Sequence, residues 1–232
     1  MAKFAKLPIP MTGKEILLGF GYAVIDLFFL PNILNAMNGQ LIHPLSGAWL
    51  NFLYFSLNFV FLFAIFSRFL KRSLAYCGKH LGDFLLAALA GFSGYWLCNV
   101  ALSFIILIFF PNFTNPNDGS IADMASGNFM IMAVGAVVLV PAAEELIHRG
   151  LIFGTLAKKS RFWGYVVSAA FFAVIHVVGY LGDCSYENLV LAFIQYLPAG
   201  IVLGWAYEKS GTIFAPIVIH MVVNAMGIYA MR

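Results

Sequence analysis

Seven apolar stretches, each close to the length a helix needs to cross ~30 Å of hydrocarbon, run along this chain. They lie near residues 15–37, 49–70, 84–110, 128–156, 162–181, 188–207 and 211–230. In lipid every backbone polar group must be satisfied within the chain, so such segments are predicted to be helices. Composition agrees: 62% of the 232 residues are hydrophobic and 10% are Asp, Glu, Lys or Arg, too few charges to cover a soluble globule. The expected fold is therefore all-α, a polytopic transmembrane bundle of about seven spans forming one domain over residues 1–232.

The charges between the stretches predict the orientation. Lys3, Lys6 and Lys14, then Arg68, Lys71, Arg72 and Lys79, then Lys158, Lys159 and Arg161, then Lys209 fall at alternate connections. The other connections carry Asp118, Asp123, Asp183 and Glu187, with Arg232 at the far end. Basic residues collect on the cytoplasmic side, so the N-terminus is expected inside and the C-terminus outside. The first stretch is read as a retained signal anchor, and the Asn, Asp, Gly and Pro of Pro111–Ser126 as a mobile outer loop. A formal charge of +3, scattered in short clusters, gives nucleic-acid binding no support. Cys77, Cys98 and Cys184 form no C-x-x-C pair and point to neither a thiolate metal site nor a disulfide framework. Gly91, Gly94, Gly200 and Gly204 are expected to permit close helix approach.

Ionisable groups inside the stretches are few and costly. A charge at mid-bilayer costs on the order of 2.5–3.5 kcal/mol even on the mild insertion scale, so each calls for a partner and usually a use. The set is Asp26, then Glu144, Glu145, His148 and Arg149 together, then His176, then His220 with Asn224. At 3.6 residues per turn Glu145 and Arg149 are neighbours able to pair, whereas Glu144 points ~100° away and shares a face with His148. Pro141, three residues before Glu144, can kink the helix there. His176 taken alone is more often an interhelical hydrogen-bonding residue than a catalytic one, and His220 with Asn224 can equally be helix glue. Asp26, near a break at Pro31, reads as a structural hydrogen-bonding residue or a transport acid. Together, however, carboxylates and two imidazoles on three separate spans can activate water and stabilise an oxyanion. Ser168 and Cys98 have no carboxylate and histidine at helical spacing, so direct hydrolysis is favoured over a covalent nucleophile.

These residues fall into E-E-x-x-x-R at Glu144, Glu145 and Arg149, F-x-x-x-H at Phe172 and His176, and H-x-x-x-N at His220 and Asn224. The ordered set resembles the CPBP family, also called Abi, of CAAX prenyl endopeptidases and bacteriocin-processing or immunity proteins. The resemblance runs from about Val138 to Ala230, within an expected catalytic core of 128–230, and leaves Met1–Ser126 without a family motif. It implies an intramembrane endopeptidase with its cavity between spans 4, 5 and 7, acting on a membrane-associated or lipidated peptide. By position, Glu144 is implied as the base that activates water with His176, and His220 and Asn224 as oxyanion donors. Glu145, Arg149 and Phe172 are implied as supports. No cofactor is expected, since H-E-x-x-H is absent; the alternative is zinc on Glu144, His176 and His220. The competing functions are a non-catalytic bacteriocin immunity protein and a proton-coupled transporter using Asp26.

Overall fold

The computed structural model describes residues 8–230; Lys3, Lys6 and Arg232, used above for orientation, lie outside them. Every regular element among the described residues is helical, and Leu181 and Cys184 form an isolated bridge. The chain opens with α1 (Gly13–Phe28), begun by a reciprocal cap in which Thr12 and Glu15 satisfy each other's backbone donors. It then bends by 42° into α2 (Leu30–Gly39), where Pro31 sits at the first turn. Next come α3 (Gly47–Ile65), α4 (Ser67–Lys79) and α5 (Leu81–Phe109). The second half has α6 (Pro116–Val134), α7 (Val140–Glu145), α8 (Gly154–Leu156), α9 (Arg161–Val177), α10 (Tyr186–Ser210) and α11 (Phe214–Ala230).

Five helical stretches are long and apolar enough to cross a membrane, six if the bent pair α1 and α2 is one span. The expected seven is not confirmed: among the described residues the last segment makes an apolar helix of 17 residues, one short of that length. Its first residues are spent on a buried turn: Gly211 takes φ +69° to end α10, Ser210 donates to the Thr212 carbonyl, and Thr212 and Ile213 bond Ser73 of α4. The expected outer loop is corrected as well. Asn115 caps α6 and Pro116 occupies its first turn, so helix begins inside the Pro111–Ser126 segment and runs on, kinked at Asn128, toward the glutamates.

Arg68, Lys71, Arg72 and Lys79 lie on α4, an amphipathic helix that buries Phe69, Ser73 and Cys77. Arg72 pairs with Glu15 at the start of α1, and Arg161 at the start of α9 pairs with Glu208 near the end of α10. The basic groups thus gather at one end of the bundle.

One core joins the two halves of the chain: Tyr22, Leu62, Phe66 and Phe69 pack with Leu146, Leu151, Phe153, Tyr207 and Ile217. In the second half, α10 lies against α9 and α5. A Cβ on Gly200 would meet the Ala169 backbone at 2.6 Å, and one on Gly91 would meet Ile219 at 2.7 Å. Gly204 approaches the Tyr165 ring less closely, a Cβ there meeting it at 3.3 Å, whereas Gly94, expected to do the same, faces open space.

Candidate active site

The helix that carries the glutamates is irregular on both sides of them. Residues 135–139 and 146–153 wind as wider π-helix, with α7 between them and Pro141 in its first turn. A wider turn absorbs the hydrogen bond that proline cannot make, and such bulges commonly mark functional sites. Here the effect is to present Glu144 and Glu145 to different neighbours.

Glu145 faces inward and is completely buried with Arg149, whose Nη1 donates to its Oε1 at 3.0 Å. The Arg149 Nη2 reaches the carbonyls of Ala199 and Gly200 on α10, both at 3.3 Å. Its guanidinium also lies 4.5 Å from the Phe172 ring centre. The ion pair expected from the i,i+4 spacing is present, and it ties three helices together.

Glu144 keeps part of its side chain accessible, and its Oε2 has no hydrogen-bond partner. Facing that oxygen are the Nε2 atoms of His176, at 3.9 Å, and His220, at 4.0 Å. Neither distance is a hydrogen bond. Each imidazole is anchored by its other nitrogen: His176 Nδ1 donates to the Phe172 carbonyl at 2.7 Å, and His220 Nδ1 donates to Glu145 Oε1 at 2.8 Å. An acceptor on Nδ1 fixes the tautomer, so in the neutral rings both Nε2 lone pairs point toward Glu144. A water held ~2.8 Å from two such atoms, with an angle of ~90° between its contacts, spans the ~4 Å separations.

His220 therefore touches both glutamates, which the separation along the helix did not anticipate. Phe172 is the hub of the cluster, with ring-centre distances of 4.5 Å to His176, 5.8 Å to His220 and 5.2 Å to His148. Asn224 is placed differently from its expected neighbours. Its Nδ2 donates at 2.8 Å to the Ala136 carbonyl in the first π-helical stretch, pinning α11 to the glutamate helix. His148 is buried behind Phe171 and Phe172.

Two features escaped the sequence reading. Tyr196 on α10 stacks on His176 with ring centres 4.3 Å apart. Its hydroxyl accepts from Asn117 at 2.9 Å and donates to Asp118 at 3.2 Å, so the start of α6 braces the far side of the histidine. An aromatic at position 196 is one of many in this chain, and no spacing singled it out. The second is a cavity of about 100 Å³ beside Glu144, lined also by Asp26 and Tyr54, from the half of the chain without motifs.

Among the described residues, no three His, Cys, Asp or Glu side chains are gathered as a metal-holding group. Glu144, His176 and His220 converge, but at separations wider than the ~3.3 Å that neighbouring ligands take around a tetrahedral zinc.

The fold defines an integral membrane helical bundle with a buried glutamate and histidine cluster. Residues 126–226, the stretch that carries all three motifs, match the family described as type II CAAX prenyl endopeptidase Rce1-like. The resemblance read from the motifs therefore holds over that stretch. Among curated proteins, the chain is similar to UPF0177 protein YxdF of Lactococcus lactis, at 28% identity over 90 residues, 39% of this chain and 44% of that protein. It is also similar to the "Putative membrane peptidase YdiL" of Bacillus subtilis, at 26% identity over 146 residues, 62% of this chain and 55% of that protein. The chain spans about half the length of the curated relatives it matches. No solved structure matches.

Proposed function

We propose that this protein is an intramembrane endopeptidase that hydrolyses a peptide bond of a membrane-associated or lipidated peptide with water activated by Glu144. The observation that carries the reading is the convergence of Glu144 Oε2 with two histidine Nε2 atoms whose other nitrogens are both anchored. The match of residues 126–226 to a peptidase family supports it.

In the proposed reaction Glu144 takes a proton from a water lying between it and the histidines. The water oxygen attacks the scissile carbonyl carbon as its O–H bond breaks, and His176 holds the water in line. Negative charge then develops on the carbonyl oxygen, where the Asn224 amide hydrogen not used on Ala136 donates to it, and His220 does so once its Nε2 carries a proton beside the one on Nδ1. The proton on Glu144 passes to the amide nitrogen as the C–N bond breaks, releasing an acid and an amine. Glu145 and Arg149 hold His220 in place throughout. The basic groups at one end of the bundle support a cytoplasmic position for that end.

If zinc takes part, Glu144, His176 and His220 are the residues to hold it, and the metal's contribution is a more acidic water. The test is cleavage of a panel of tagged membrane peptides by purified, reconstituted protein. Wild-type activity that survives thorough chelation and is lost in Glu144→Gln and in His176→Ala is the expected result. Activity retained in Glu144→Gln overturns the mechanism, and activity lost on chelation and restored by zinc replaces it with the metal alternative.

A further inference from the structure

The cavity beside Glu144 lies between α1, α3, α7 and α9. Much of its lining is apolar, including Leu27, Phe55, Ile147, Phe171 and Ile175. Its polar members are Asp26, Tyr54, Asn58, Glu144 and His148. Asp26 lies beside Tyr54 and Asn58 in this lining, and Asn58 is itself fixed by the Tyr22 hydroxyl at 2.9 Å. Even so, Asp26 Oδ1, Glu144 Oε2 and His148 Nδ1 are all buried without a partner. These are three of the seven such side-chain atoms among the described residues, and all three belong to this one lining. His148 is 1% exposed, so its free nitrogen is no surface group.

The charge balance of the chamber narrows what can fill it. Asp26 and Glu144 act on one another electrostatically across a space of low dielectric. No Lys or Arg belongs to the lining, and Arg149 is committed to Glu145 and to α10. A neutral apolar ligand leaves three polar atoms buried and unpaired, which is costly. A ligand with an apolar stem and a cationic, donor-rich head suits the lining: methylenes against Leu27, Phe55 and Phe171, and N–H groups toward Asp26 and its neighbours.

We propose that this cavity is the specificity subsite for a basic side chain, lysine or arginine, flanking the scissile bond, and that Asp26 is the acid that binds its head. The inference rests on the peptidase reading, because it takes Glu144 as the point where the substrate backbone passes. It gives Asp26 a role in substrate choice and makes the first half of the chain part of the site.

The test uses a cleaved membrane peptide carrying Lys, Arg, norleucine or Glu at each position within three residues of the scissile bond. At one position wild-type protein is expected to prefer Lys and Arg over norleucine by about tenfold or more in kcat/KM. Asp26→Asn, which keeps the shape of the side chain, is expected to bring the ratio of kcat/KM for the Lys and norleucine peptides to about one. Equal use of Lys and norleucine by wild type overturns the proposal, as does an equal loss on both peptides in Asp26→Asn. Should wild type cleave none of them, binding of the same labelled peptides to wild type separates the two readings. A lysine preference lost in Asp26→Asn upholds the subsite while sinking the peptidase reading; equal binding of the lysine and norleucine peptides sinks the subsite.

Discussion

The two glutamates are adjacent in sequence yet stand in opposite environments. On the Glu145 side the carboxylate is fully enclosed and shares its Oε1 between Arg149 and His220. On the Glu144 side the carboxylate opens onto a cavity, its Oε2 has no partner, and the nearest histidine nitrogens stand off by about 4 Å. A buried ion pair holds helices in register and is poorly placed to accept a proton, even though Glu145 Oε2 and Arg149 Nε also lack hydrogen-bond partners. An unsatisfied carboxylate with space before it can do chemistry, at some expense in stability. One helix thus carries a brace on one face and a carboxylate open to a cavity on the next.

Substitutions on the two faces can break or sharpen that contrast. Glu144→Gln has the largest expected effect, a loss of peptide cleavage of ~10³-fold or more, with the melting temperature in detergent unchanged. Arg149→Met is expected to leave Glu145 buried without its cation and to cost about 3–5 kcal/mol in unfolding experiments. Adding Glu145→Gln to that variant is expected to restore much of the stability; no recovery contradicts the brace. Gly200→Leu forces α10 away from Ala169 and is expected to cost about 1–3 kcal/mol, read as a lower melting temperature with reduced activity. The smallest effect belongs to Tyr196→Phe. It keeps the ring on His176 but loses the bonds to Asn117 and Asp118, so kcat is expected to fall about three- to tenfold at constant KM.

Features that lie along one helix were the legible ones. The pairing of Glu145 with Arg149 and the divergence of Glu144 follow from helical period, whereas at Pro141 the expected kink is replaced by π-helical winding on either side of a continuous helix, the observed kink lying at Asn128. Features that depend on two helices were not legible. Asn224 shares a motif with His220, yet donates to Ala136 in a π-helical turn whose presence no residue pattern signalled. The segment around Asp118 reads as loop by composition, but the Asn115 cap and the Tyr196 hydroxyl organise it as the start of a helix.

By itself the sequence determined that this chain is a helical membrane bundle and which few polar residues lie within its apolar segments. Apolar length and buried charge are constraints lipid imposes on each segment separately, so a linear reading reaches them. Only the tertiary structure decided that His220 bridges both glutamates, that Tyr196 braces His176, and that Asp26 shares a chamber with Glu144. Those facts depend on how each helix is rotated and how closely it approaches its neighbours. Packing contacts such as Gly200 on Ala169 set both, and they belong to pairs of helices distant in the chain.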